Sequence, residues 1–263
     1  MKRNHNIFAE ILKKYNYQLH SGDIVAGTVI SIEKLGFLVN IGTEKAGYLP
    51  KEETTIHIRK NNNYNIQILN TTRDFFLITE NKHKKQHILS IKRLDYIRAW
   101  KRIKQIYFED VILKLTIQYT NKGGLITYLE GIQGFIPNSH ICYKEKNHKI
   151  KCKILEINEN KNQLIFSNKS AQLKLSLHKF KIGELIYGKI ILLKSYGLFI
   201  EIYGVKALLH ISEIGNLYKK EYMQVFKVNS LIKIKIIHLN IENGQISVSI
   251  RKLNNIAIHH QQY

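Results

Sequence analysis

The chain has 263 residues, 44% of them hydrophobic, and 41 Lys and Arg stand against 20 Asp and Glu for a formal net charge of +21. An excess so large and one-sided implies a polyanionic partner: RNA, DNA or an anionic membrane surface. No apolar run reaches the roughly 18 residues that span a bilayer, and no cleavable signal pattern is expected at the N-terminus, so nucleic acid is the favoured partner.

Residues 1–19 place Ile7, Phe8, Ile11 and Leu12 in a narrow stripe at helical spacing. A helix this short is marginal alone and either packs on the next domain or docks on a partner. From Gly22 on, Val25, residues 28–30 and residues 37–41 read as strands, with turns at Gly42 and Gly47. The run 61–63 is a loop, 66–69 and 75–79 suggest a hairpin, and 87–90 closes the segment. Residues 91–107 space Leu94, Ile97, Trp100 (or Ile103) and Tyr107 at helical intervals among Arg and Lys. That predicts a basic amphipathic linker helix with Trp100 buried against a barrel. Residues 170–178 form a second short linker, helical or extended. Beyond it, Ile232, Ile234 and Ile236 alternate with Lys233 and Lys235, a strand with one buried and one cationic side. Asn243-Gly244 signals a hairpin turn, and residues 254–263 are a polar tail.

The chain repeats itself. Residues 124–139 (GLITYLEGIQGFIPNS) lie over 197–212 (GLFIEIYGVKALLHIS) without a gap, and residues 150–169 lie over 232–251, aligning Asn158 with Asn240 and Gln163 with Gln245. A weaker third copy aligns Gly36 with Gly124 and Gly197. The two prolines, Pro50 and Pro137, share one place, which His210 fills in copy three. Spacings of this size suit small self-contained domains rather than solenoid units. Five short antiparallel strands per copy, with a longer connection after the third, predict an all-β chain of three tandem OB-type barrels joined by short helical linkers. The expected division is a helix in 1–19, a first barrel in 20–95, a linker helix and second barrel in 96–176, a third barrel in 177–253 and a tail in 254–263.

Catalysis has no visible support. Acids are sparse and no carboxylate cluster of the kind a metal nuclease needs is present, nor a phosphate-cradling GxxxxGK. Cys142 and Cys152 form no metal-binding spacing and indicate no disulfide. The histidine pairs His83/His87 and His259/His260 lie in polar stretches. No metal, cofactor or small-molecule substrate is expected.

The stretch 194–213 (KSYGLFIEIYGVKALLHISE) reads as a hairpin that carries Tyr196, Phe199 and His210. Rings on one face of a barrel beside cations such as Lys194 are what a single-stranded nucleic acid needs, since rings stack on bases and cations meet phosphates. The core is the competing place for aromatic residues in a strand.

These residues, with LSIKRLDYIRAW closing copy one and IKIKIIHLNIENGQISVSIRKL closing copy three, resemble the RNA-binding barrel named after ribosomal protein S-one. The order of the copies is similar to the first three domains of the bacterial-type family, and three domains is the plastid form. The resemblance implies a small-subunit ribosomal protein that captures single-stranded mRNA for initiation, with small-subunit proteins and rRNA as partners. It places RNA contacts at Tyr196, Phe199, His210, Asn240 and Gln245, flanked by Lys194 and Arg251, and ribosome docking at Ile7, Phe8, Ile11 and Leu12. The family often has an acid and an arginine where this chain has the amides Asn240 and Gln245. Leu35, Leu38 and Pro50 replace the rings in copy one, and Gly123, Ile126 and Pro137 replace them in copy two. The first two copies are therefore expected to dock on protein. Heavy use of Asn, Ile and Lys fits an AT-rich coding sequence, hence a plastid or an AT-rich bacterium. An RNA chaperone or an RNA-processing subunit is the alternative function.

Overall fold

Alternation of buried and exposed residues closes a sheet on itself three times. The computed structural model describes residues 19–43, 45–54, 68–81, 86–142, 149–215, 222–251, 253 and 258–259. The predicted docking stripe, Ile7, Phe8, Ile11 and Leu12, lies outside them. The chain divides into two compact units, residues 1–101 and 102–263.

The first unit holds β1 (Ile24–Ile32), β2 (Gly36–Asn40), β3 (Gly47–Pro50), β4 (Thr72–Asn81) and β5 (Gln86–Ser90), closed in the order β1-β2-β3-β5-β4. A bulge between Val29 and Ser31 bends β1 so that one end pairs with β4 and the other with β2, the usual way a short strand turns a barrel corner. Val25, Val29, Phe37, Val39, Leu49, Phe75, Leu77 and Leu89 fill the interior. The apolar pair Ile68-Leu69 is not the strand that its composition suggests. Thr71 closes a turn onto the Ile68 carbonyl through its N–H and its hydroxyl, and Asn70 takes φ 58°. Helix α1 (Ile91–Phe108) leaves directly from β5. Leu94 and Trp100 are buried, with Trp100 edge-on to Tyr96 at 6.3 Å. Ile97 and Tyr107, expected on the same stripe, are exposed.

The second unit holds two barrels. β6 (Leu113–Thr120), β7 (Gly124–Leu129), β8 (Ile132–Pro137), β9 (Lys149–Asn158) and β10 (Gln163–Ser167) close as β10-β8-β7-β6-β9. The second linker is helical, α2 (Asn168–Ser176), with Ser167 accepting from the Ser170 N–H as its N-cap. β11 (Leu185–Lys194), β12 (Gly197–Ile202), β13 (Val205–His210), β14 (Leu231–Asn240) and β15 (Gln245–Ser249) form the third barrel, closed through β11 on β14, with the short α3 (Tyr222–Val225) preceding β14. Ile232, Ile234 and Ile236 are fully buried, as their alternation predicts. Within the expected tail, β16 (Ile258–His259) pairs with Leu231 and Ile232. The three-barrel, OB-type reading holds.

Helix α2 joins the last two barrels. Leu173 is fully buried in the third barrel's core, and the Ser170 hydroxyl donates to the Glu242 carbonyl at 2.5 Å. Gly244, at φ 64°, sits so close that a Cβ there would be 2.5 Å from the Lys169 carbonyl carbon. Among the described residues no helix is long and apolar enough to cross a membrane.

Candidate nucleic-acid interface

β12 and β13 are joined by Tyr203-Gly204, both at positive φ (50° and 80°), as a two-residue type I′ hairpin requires. Alternation then sorts the hairpin's side chains. Leu198, Ile200, Ile202, Val205, Ala207 and Leu209 are buried in the barrel. Phe199, Glu201, Lys206, Leu208 and His210 take the outward positions.

Register sets these outward residues in three rows. Lys194, Gly197 and His210 make one row; Leu192, Phe199 and Leu208 the next; Lys189, Glu201 and Lys206 the third. Tyr196, 46% exposed in the turn before β12, sets its ring perpendicular to that of Phe199 with 6.1 Å between centres. Gly197 lets β12 and β13 approach closely between Tyr196 and His210. At φ 152°, a Cβ there would stand 2.3 Å from the Leu209 carbonyl oxygen, which no side chain tolerates. The backbone N–H of Ser212 donates to His210 Nδ1 at 3.3 Å. In the neutral ring the proton therefore sits on Nε2, and the exposed edge of the imidazole is a donor.

The structure thus brings Tyr196, Phe199, His210 and Lys194 together. Arg251 follows β15 at the His210 end, where Ile250 N–H donates to the Glu213 carbonyl. Asn240 and Gln245 face each other at the opposite end, across the turn that leads into β15. Asn240 Oδ1 accepts from the Asn243 N–H at 3.0 Å, so part of its work is holding that turn.

Two cations absent from the sequence reading complete the surface. Lys206 Nζ lies 5.7 Å from the Phe199 ring centre, and the alternation 206, 208, 210 was the signal that would have found it. Lys169, on the first turn of α2, has its pKa held below the ordinary lysine range, first by burial and then by the charge of Lys206, against an opposing effect of Cys142. Its arrival from the linker left no mark in the barrel's own sequence. His140, beside Lys169, is likewise held below its ordinary value by burial and by that lysine's charge. Residues 177–253 carry 12 Lys and Arg against 5 Asp and Glu, a basic excess that residues 96–176 share with 14 against 6.

The other hairpins keep the glycine and move the ring. Gly36 faces Pro50 and Gly124 faces Pro137, as Gly197 faces His210. One step along, Leu38 faces Tyr48 and Ile126 faces Phe135, whereas Phe199 faces Leu208. In the first two barrels the aromatic residue therefore stands on the facing strand.

Comparison with known proteins agrees with the architecture. The S1 RNA binding domain family matches residues 18–92 and 179–251, the first and third barrels. The "Small ribosomal subunit protein bS1c" of Porphyra purpurea is 44% identical over 95% of this chain and 96% of its own length. The bS1A protein of Synechocystis sp. is 39% identical over 94% of this chain and 76% of its own. The bS1c protein of Spinacia oleracea is 34% identical, over 94% and 61%. With three barrels in the order read from its repeats, this chain belongs to the bS1 family of small ribosomal subunit proteins, in its plastid-type form.

Proposed function

We infer that this chain is a non-catalytic RNA-binding component of the plastid small ribosomal subunit, which holds single-stranded mRNA and helps recruit it for initiation. Relatives named as small-subunit proteins, and the S1 RNA binding domains, support the coarse part of that reading. The observation that carries the finer part is the outward set Tyr196, Phe199 and His210 with Lys194 and Lys206 beside it. Every base has a π-face, so a ring platform with cations accepts single strands with little sequence preference. Asn240 and Gln245 would offer hydrogen bonds at one end of the strand's path and Arg251 a cation at the other. Ile7, Phe8, Ile11 and Leu12 supply an apolar stripe for docking on small-subunit proteins or rRNA.

Small subunits depleted of this protein, with an unstructured labelled mRNA, provide the test. Adding the full chain should restore mRNA capture, and adding the chain without residues 1–16 should not, although its RNA affinity is kept. If the full chain binds RNA but never co-sediments with small subunits, it is a free RNA chaperone and the ribosomal assignment of this site falls.

A further inference from the structure

The second barrel lacks rings at the places that correspond to Tyr196, Phe199 and His210, yet the same outward side is aromatic. Ile126 pairs on one side with Tyr119 of β6 and on the other with Phe135 of β8. Tyr128 lies two residues along β7, on the same side as Ile126. Tyr119 is 64% exposed and Tyr128 45%, and Phe135 is half-buried. The ring of Phe135 comes so near the hairpin that a Cβ on Gly124 would be 2.9 Å from its Cζ, and one on Gly123 3.4 Å. Those two glycines leave the ring its room. Two rings, Tyr119 and Phe135, thus flank Ile126 in the row that Phe199 occupies in the third barrel, and Tyr128 adds a third ring in the next row, opposite Gln133.

Cations continue this surface. The outward positions of β6 beyond the bulge are Thr116 and Lys114, which face Lys149 and Lys151 of β9. All three lysines are exposed. Lys114 directly opposite Lys151 is a like-charge cross-strand pair, an arrangement that costs stability by itself. A polyanion laid along β6 removes that cost. A protein partner fits less well, because lysine is depleted from the centres of protein interfaces while aromatic residues are enriched there. From Lys114 to Tyr119 the strand covers about 16 Å, at about 3.3 Å per residue, a distance that a few nucleotides of an extended strand span.

We propose that the second barrel carries its own single-stranded nucleic-acid platform, with bases on Tyr119, Phe135 and Tyr128 and phosphates on Lys114, Lys149 and Lys151. It is separate from the third-barrel site and stands if that site fails. It also replaces the expectation, drawn from Gly123, Ile126 and Pro137, that this face docks on protein.

The test uses the full chain and a labelled uridine-rich RNA long enough for two barrels, each of which occludes about 4–16 nucleotides. Tyr119→Ala with Tyr128→Ala, which removes two stacks, should weaken binding at least about thirtyfold, and Tyr119→Phe with Tyr128→Phe should restore it. Lys114→Gln should raise the thermal midpoint while it weakens RNA binding, a pairing of effects that a structural role would not give. The same changes are made with Phe199→Ala. If Phe199→Ala weakens binding and the tyrosine changes have no effect in either background, the second platform is refuted and the third-barrel site stands. If the tyrosine changes weaken binding and Phe199→Ala does not, the reverse holds. Loss from both supports two platforms.

Discussion

Lys206 holds its ammonium 5.7 Å from the centre of the Phe199 ring, on the side of β13 that also presents His210. A cation over an exposed ring is worth about 0.5–1 kcal/mol, whereas a base stacked on it is worth about 1–3 kcal/mol. If RNA binds here as proposed, an incoming base would displace the ammonium and leave it beside the strand to meet a phosphate. Lys206→Gln should make the slope of log affinity against log salt shallower by about 0.7, the value for one phosphate contact on a single strand. Titrations at several salt concentrations read this directly, and an unchanged slope means that Lys206 touches no phosphate.

Gly197→Ala should destabilise the third barrel. The new Cβ would meet the Leu209 carbonyl oxygen at 2.3 Å and the His210 Cα at 3.0 Å, at a φ of 152° that side-chain-bearing residues avoid. Strain of this kind costs about 1–3 kcal/mol, before any shift of β13 is counted. Denaturant unfolding of the variant should show the lower midpoint, and RNA affinity should fall with it because His210 moves.

Leu173 belongs to α2 in sequence and to the third barrel in packing, where it is fully buried. Leu173→Ala should cost about 2–5 kcal/mol, the range for emptying a leucine site in a core. It should also loosen the junction that Ser170 and Glu242 complete. Limited proteolysis is the second readout. Cleavage within 170–180, slow in the wild type, should become fast in the variant.

Asp110, at φ 55° just past the end of α1, binds Lys153 at 2.5 Å and Lys174 at 2.6 Å. Partial burial pushes its pKa up, but hydrogen bonds and charge from the two lysines outweigh that and hold it below the ordinary 3.8. A carboxylate depressed in the folded state contributes stability that is complete above the ordinary value and is lost as pH falls through the folded one. Solvent reaches this site, so screening keeps the contribution to about 1 kcal/mol. Asp110→Asn should lower the unfolding midpoint at neutral pH, and the gap to the wild type should narrow below pH 3.8.

Much of the fold was legible because its cause is local. Ile232, Ile234 and Ile236 against Lys233 and Lys235 dictate a strand with one buried side, and Gly204 has the backbone freedom that a tight turn requires. The glycines Gly36, Gly124 and Gly197 recur because each strand pair approaches too closely there for a Cβ. What stayed hidden depends on pairing. Aligning copies column by column shows that Ile126 has replaced Phe199, but only the register shows that Phe135 stands across from it. Ile68-Leu69 misled for a different reason. Its apolar, β-branched character suits a strand, yet the threonine that follows hydrogen-bonds back and closes a turn. Lys169 reaches the third barrel from a linker, and no pattern inside that barrel announces it.

The central claim is that rings, not charge alone, hold the RNA on the third barrel. It is tested most directly by fluorescence anisotropy of a labelled uridine-rich single strand with the full chain, wild type against Phe199→Ala, at two salt concentrations. The variant should lose about 1–3 kcal/mol of affinity at both salt concentrations with its salt slope unchanged, since a ring neutralises no phosphate. Equal affinities for the two proteins, with binding that tracks salt alone, would contradict it.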